Sequence, residues 1–249
     1  MQARARVYRR FRMIPVQLML VLAGSTAMAV SFGFDADCNS RYVWRGIALS
    51  DGWVVQPDVW VSAGGATVSV WTSMSLQGDD RYHLSDVDAT ASYGLELWSL
   101  SIEPSVAAYM YPAGDPTSVE VAVALAYPLG PFSITSNHSV EVLSSPGAYF
   151  GDIGLEYSRD IVCDRVALEA NGWTGVGSSR FNEANIGVSR FALNAAGVGV
   201  GVPVSWGILT LRPHAEFSTI IDGVLRDRLA EDEIPATNLS VGVSLGMEF

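Results

Sequence analysis

The chain ends Leu239-Ser240-Val241-Gly242-Val243-Ser244-Leu245-Gly246-Met247-Glu248-Phe249. Odd positions are apolar and even positions are small or polar. Successive side chains of an extended chain point to opposite faces, so this alternation specifies a strand with one apolar and one polar face. It excludes an amphipathic helix, whose apolar residues recur at three and four positions.

The same pattern recurs upstream. Val119, Val121, Val123, Leu125 and Tyr127 alternate with Ser118, Glu120, Ala122, Ala124 and Ala126, and Leu209, Leu211, Ala215 and Phe217 with Thr210, Arg212, His214 and Glu216. Tight turns are predicted near 63–65, 97–99, 129–130, 159–160 and 205–207. Looser polar connections are predicted near 46–52, 77–83, 112–116, 143–148, 174–183 and 220–236. Short turns at one end and long loops at the other are the asymmetry of a membrane barrel. The segments count to an all-β, antiparallel transmembrane β-barrel of about twelve strands, with ten or fourteen as alternatives. Residues 181–206 are too long for one membrane strand and predict an extracellular extension with a bulge near Ser189 to Ala195. Pro57, Pro104, Pro203 and Pro213 fall within strand segments and predict bulges or strand ends.

The amino-terminus reads as an export signal. Arg4, Arg6, Arg9, Arg10 and Arg12 precede an apolar run from Met13 to Gly24, and Ala27-Met28-Ala29 is a small-x-small cleavage site. Residues 1–29 are therefore expected to be cleaved, leaving 30–249 as one barrel domain. The whole chain has 15 basic and 26 acidic residues, and five of the basic ones lie in the signal, so the remainder holds ten against 26, a net of −16. Such acidity argues against nucleic acid as a partner. The mean hydropathy is nevertheless +0.25, as a lipid-facing exterior requires. Cys38 and Cys163 are far apart in the pattern and are expected to be free thiols.

The closing strand resembles the assembly signal of Gram-negative outer-membrane barrels. That likeness assigns Val243, Leu245, Met247 and Phe249 to recognition by the barrel-assembly machinery, and makes outer-membrane lipid the surroundings. A second resemblance lies in Ser40-Arg41-Tyr42-Val43-Trp44-Arg45-Gly46, followed by Gln56-Pro57 and Val70-Trp71. Over residues 30–76 the chain resembles the TorF-type porins and related proteobacterial outer-membrane barrels, loosely so beyond. The resemblance implies a barrel and a pore, and supplies no substrate.

Phase assigns the interior, because an unshielded charge facing lipid at mid-membrane costs about 2–4 kcal/mol. The expected lumen-facing acids are Asp35, Asp37, Asp58, Asp86, Asp88, Glu96, Glu103, Glu120, Glu141, Asp152, Glu156, Glu169, Glu216 and Glu248. The bases are Arg41, Arg45, Arg165 and Arg212, with His214 titratable. Few arginines face many acids, which leans to a wet, cation-preferring channel for ions or small hydrophilic solutes. The alternative is a closed barrel plugged by Trp60, Trp71, Tyr109, Tyr111 and arginine–acid pairs. Tyr42, Trp44, Tyr93, Tyr127, Tyr149 and Tyr157 fall on the outward phase, as an aromatic girdle would.

A third possibility is a lipid-modifying enzyme. Ser136 and His138 share the outward phase, but Glu141 is on the opposite one and is badly placed to orient the imidazole. No catalytic residue is assigned. No phosphate loop or zinc spacing is present, so no cofactor or metal is expected. Asp79, Asp80 and the acids of 222–233 read as solvated loops rather than a calcium site. The sharpest expectation is that Arg41 faces the lumen within a cluster of Asp35, Asp37, Asn39 and Glu248. Arg45 either joins that cluster or ends the first strand at the outer rim.

Overall fold

The computed structural model describes residues 30–78, 81–162 and 165–249. The expected signal segment, Asp79, Asp80 and Cys163 lie outside the described residues. The strands are β1 (Val30–Asn39), β2 (Val43–Trp44), β3 (Ile47–Ala48), β4 (Val54–Ala63), β5 (Ala66–Ser75), β6 (Leu84–Tyr93), β7 (Leu95–Leu97), β8 (Leu100–Met110), β9 (Ser118–Leu129), β10 (Phe132–Glu141), β11 (Tyr149–Val162), β12 (Val166–Gly177), β13 (Ala192–Gly201), β14 (Val204–Trp206), β15 (Leu209–Ile220) and β16 (Thr237–Glu248). Two helices, α1 (Ser179–Ile186) and α2 (Gly223–Glu231), interrupt the series.

β7 continues β6, and β14 continues β13 beyond Val202-Pro203. The barrel wall is thus twelve antiparallel staves, each paired with its sequence neighbour. β1 closes the ring against β16, with Gly33 opposite Glu248 and Asn39 opposite Gly242. Closure removes the unpaired edges that an open sheet presents. At the seam Phe249 stacks on Phe32, ring centroids 5.1 Å apart, and its N–H donates to the Phe32 carbonyl at 2.9 Å.

The turns at 64–65, 98–99, 130–131 and 207–208 are short, which marks that end as periplasmic. The connections 40–53, 178–191 and 221–236 at the other end are long and structured. β11 runs through the predicted turn at 159–160 as far as Val162. The stretch expected to be an extended strand opens instead with helix α1. Ser178 caps it by accepting from the Phe181 N–H, and Gly187 ends it in the left-handed conformation. The predicted bulge is present: Gly175 pairs with Ala195 and Val176 with Leu193, so Asn194 is the extra residue.

Val59, Val61, Val68, Val70, Val121 and Ile153 are exposed on the outer surface. In water such a belt is unfavourable; in hydrocarbon it is the required solvent-facing face. The apolar core lies inside the outer mouth, where Ile47, Ile186, Ala195, Ile220, Leu225 and Leu229 pack together. Helix α2 joins that core because Leu225 and Leu229 are four apart, and Asp222 accepts from the Val224 and Leu225 N–H groups at its start. A closed ring with an apolar outer belt and a polar interior is the form of a membrane-spanning β-barrel.

Candidate functional site

The loop 40–53 folds into the barrel rather than over it. Beyond Asn39 the chain leaves the wall, and Val43–Trp44 pairs with Ile47–Ala48 as a two-residue hairpin. Its turn residues Arg45 and Gly46 have φ of 51° and 85°. Positive φ at both central positions is the turn whose twist suits a hairpin, and glycine carries the second without strain. Arg45 is strained there, and its tertiary contacts hold it.

Those contacts cross the lumen. Arg45 Nη1 and Nη2 donate to Glu120 Oε1 and Oε2 at 2.8 and 2.6 Å, and Nη2 also donates to Ser139 Oγ at 2.9 Å. The paired side chains are 2% and 7% exposed. The guanidinium carbon lies 4.2 Å from the Trp44 ring centre, 4.8 Å from that of Phe150 and 5.4 Å from that of Phe181. Asn238 holds the other side of the hairpin: it donates to the Gly46 carbonyl at 3.1 Å and accepts from Arg41 Nη1 at 2.9 Å.

The placement corrects several expectations. Arg45 neither ends the first strand nor joins Arg41's cluster, because the chain has turned inward before reaching it. Tyr42 and Trp44 are inside the barrel, not in an outer girdle. Burial holds the Tyr42 phenol well above its ordinary pKa, with Asp86 and Asp88 adding to the shift. Glu248 sits opposite Gly33 at the periplasmic end, far along the stave from Arg41, so the expected Arg41–Glu248 cluster does not form. Arg165 is exposed in the periplasmic turn after Val162, because β11 extends further than expected.

A cavity of ≈ 190 Å³ adjoins the hairpin. Its lining reaches from Asn238 and Ser240 near the outer mouth to Arg212 and Ser244 in the periplasmic half. Asp37, Arg41, Asp88, Arg212, His214 and Glu216 all contribute to it. Arg212 Nε donates to Glu169 Oε2 at 3.0 Å, and His214 Nε2 meets Asn39 Oδ1 at 2.8 Å. Asp58, Asp86, Glu120 and Glu169 are buried behind the cavity surface. Asp35 accepts from Trp60 Nε1 at 3.1 Å.

On the lipid side, Ser136 Oγ and His138 Nε2 are 3.0 Å apart, and His138 Nδ1 lies 2.8 Å from the Tyr149 hydroxyl. Glu141 is instead occupied by the backbone: it accepts from the N–H groups of Leu143 and Ser144 at 2.7 Å each. The imidazole thus has a phenol hydroxyl where a hydrolase needs an acid or amide. Two acids of the last loop are likewise engaged, Asp222 with Arg190 at 3.0 Å and Asp232 with Arg228 at 2.7 Å. Among the described residues, no cluster suited to holding a metal ion occurs.

The sequence predicts only a loose connection at 46–52 and misses the hairpin. Gly46, between Val43-Trp44 and Ile47-Ala48, is the residue type such a tight turn uses, although Arg45 before it is not one of the usual turn residues and the inward course carries no signal. Asn238 and Ser139, which hold the hairpin, carried no signal beyond their phase.

No family model matches the sequence, and no curated protein matches it. Solved structures do. The KdgM porin in complex with disordered oligogalacturonate is similar over 86% of this chain and 97% of its own, at 10% identity and a TM-score of 0.51. The NanC porin is similar over 86% and 98%, at 12% identity and the same TM-score. At such identities the likeness is one of fold: a closed barrel of the outer-membrane porin type.

Proposed function

We propose that this barrel is a constricted outer-membrane channel for ions and small hydrophilic solutes, with a preference for cations. The observation that carries the reading is the charge around the cavity. Asp37, Asp88, Asp152, Glu156 and Glu216 line it against Arg41, Arg45 and Arg212. Two of those arginines are committed, Arg45 to Glu120 and Arg212 to Glu169. A low-dielectric wall with a surplus of one sign concentrates the opposite ion. Oligogalacturonate, found with the KdgM porin, is a polyanion, and this acidic wall disfavours such a solute. The Tyr42–Gly46 motif that resembles the TorF-type porins supplies the constriction.

A second reading has its own support. The hairpin, its latch to Glu120 and the apolar packing at the outer mouth fill the upper lumen, as a closed structural barrel would. Planar-bilayer recording distinguishes them. The channel reading expects small, cation-selective conductance that grows when Arg45 is removed. Silence from both the native protein and Arg45→Ala, with folded barrels in each case, would establish the closed form.

A further inference from the structure

Trp71 stands between two acids. Its register partner on β4 is Asp58 and on β6 is Asp88, and Asp88 in turn faces Tyr109 on β8. Carboxylate and aromatic side chains therefore alternate along one level of the interior wall. The Tyr109 hydroxyl donates to Glu120 Oε2 at 3.1 Å, extending the alternation to a carboxylate that already holds a cation, the Arg45 guanidinium.

Asp88 has similar surroundings and, among the described residues, no cation paired with it. It is 5% exposed, and its Oδ1 has no hydrogen-bond partner. It lines the cavity together with Trp71, Tyr109 and Tyr42. The Tyr42 and Trp71 rings are 5.5 Å apart and tilted by 57°, so an aromatic pair stands in the same cavity wall as Asp88. A buried carboxylate oxygen calls for a compensating donor, and aromatic faces attract cations through their quadrupole. Hydrated inorganic cations want several oxygen ligands, which aromatic walls do not provide. An alkylated cation satisfies both features: its N–H groups meet the carboxylate and its carbon atoms meet the rings.

We propose that Asp88, Trp71, Tyr109 and Tyr42 form a subsite for a small organic cation bearing a primary ammonium or guanidinium head. The proposal deepens, and rests on, the reading of the interior as a cation-preferring solute path. Arg45 on Glu120 is the built-in counterpart of the bound ligand, two staves round the wall from Asp88.

The test is titration of the folded barrel in detergent micelles, followed by tryptophan emission, with ethylammonium chloride as probe. Sodium chloride at equal ionic strength and ethanol, the neutral isostere, are the comparisons. A saturable response to ethylammonium alone is expected, with affinity roughly ten-fold or more weaker in Asp88→Asn, since a charge-assisted hydrogen bond is lost. The proposal is overturned by no saturable response, by an equal response to sodium or ethanol, or by unchanged affinity in folded Asp88→Asn. Should that variant fail to fold, ethylammonium against ethanol on the native protein decides alone. Conductance in potassium chloride is read separately. A barrel that conducts but binds no ethylammonium overturns the subsite and keeps the channel; one that binds and stays silent overturns the channel.

Discussion

Arg45 and Glu120 lie 75 residues apart and meet through both guanidinium Nη atoms and both carboxylate oxygens, at 2.8 and 2.6 Å. One comes from a hairpin that has left the wall, the other from β9. The pair fastens the hairpin across the lumen. Breaking a buried ion pair by removing one partner costs about 3–5 kcal/mol, because the other charge stays buried without compensation. Arg45→Ala should therefore lower the temperature at which heat-modifiable gel mobility is lost, and raise single-channel conductance as the hairpin detaches. Glu120→Gln should act in the same direction. Native conductance in both folded variants would remove the hairpin as the constriction.

Arg41 reaches Asn238 at 2.9 Å and borders the cavity. Because arginines are few beside the acids there, Arg41→Ala should raise cation selectivity, seen as a reversal potential shifted toward the cation limit in a salt gradient. A folded, conducting variant with the native reversal potential would place Arg41 off the ion path.

Glu120 and Val121 are neighbours in sequence with opposite faces: Glu120 is buried inside, while Val121 is 51% exposed on the outside. Val121→Arg should weaken folding into lipid vesicles by about 2–4 kcal/mol in a urea titration if the outer face meets mid-membrane hydrocarbon. A variant as stable as the native protein would show that this face does not.

Gly33 lies beneath Trp60. A Cβ there would come within 2.4 and 2.5 Å of the indole carbons Cζ2 and Cε2 and within 2.7 Å of the Met247 carbonyl oxygen. Gly33→Val must displace the ring, which is hydrogen-bonded to Asp35. The expected loss is roughly 1–3 kcal/mol, in line with overpacked cores, read by tryptophan emission in urea. Unchanged stability and emission would mean the periplasmic half of the interior is loosely filled.

Asn182 in α1 and Asn194 at the bulge exchange amide hydrogen bonds while fully buried. Asn194→Ala leaves Asn182 partly unsatisfied, at a cost of about 1–3 kcal/mol. Helix α1 should then loosen, and trypsin should cut faster at Arg180 or Arg190 than in the native barrel. An unaltered digestion rate would show that apolar packing alone docks the helix.

The sequence by itself determined the architecture. Period two sets the face of every residue in a stave such as Ser118–Leu129 or Leu209–Ile220, and the cost of charge in lipid sets which face is inside. Loop shape was less legible. Helices α1 and α2 are short, and their evidence was only a capping residue and a few apolar positions within polar stretches. The path of residues 40–53 was decided by the tertiary structure alone. Alternation carried forward from β1 assigns Tyr42 and Trp44 to lipid, but the chain turns inward at Ser40 and phase loses its meaning there. Periodicity reports on which side of a sheet a residue stands. It carries no information about which distant carboxylate a side chain reaches, and Arg45 finds Glu120 only because the closed ring brings β9 and β10 across from the β1 loop.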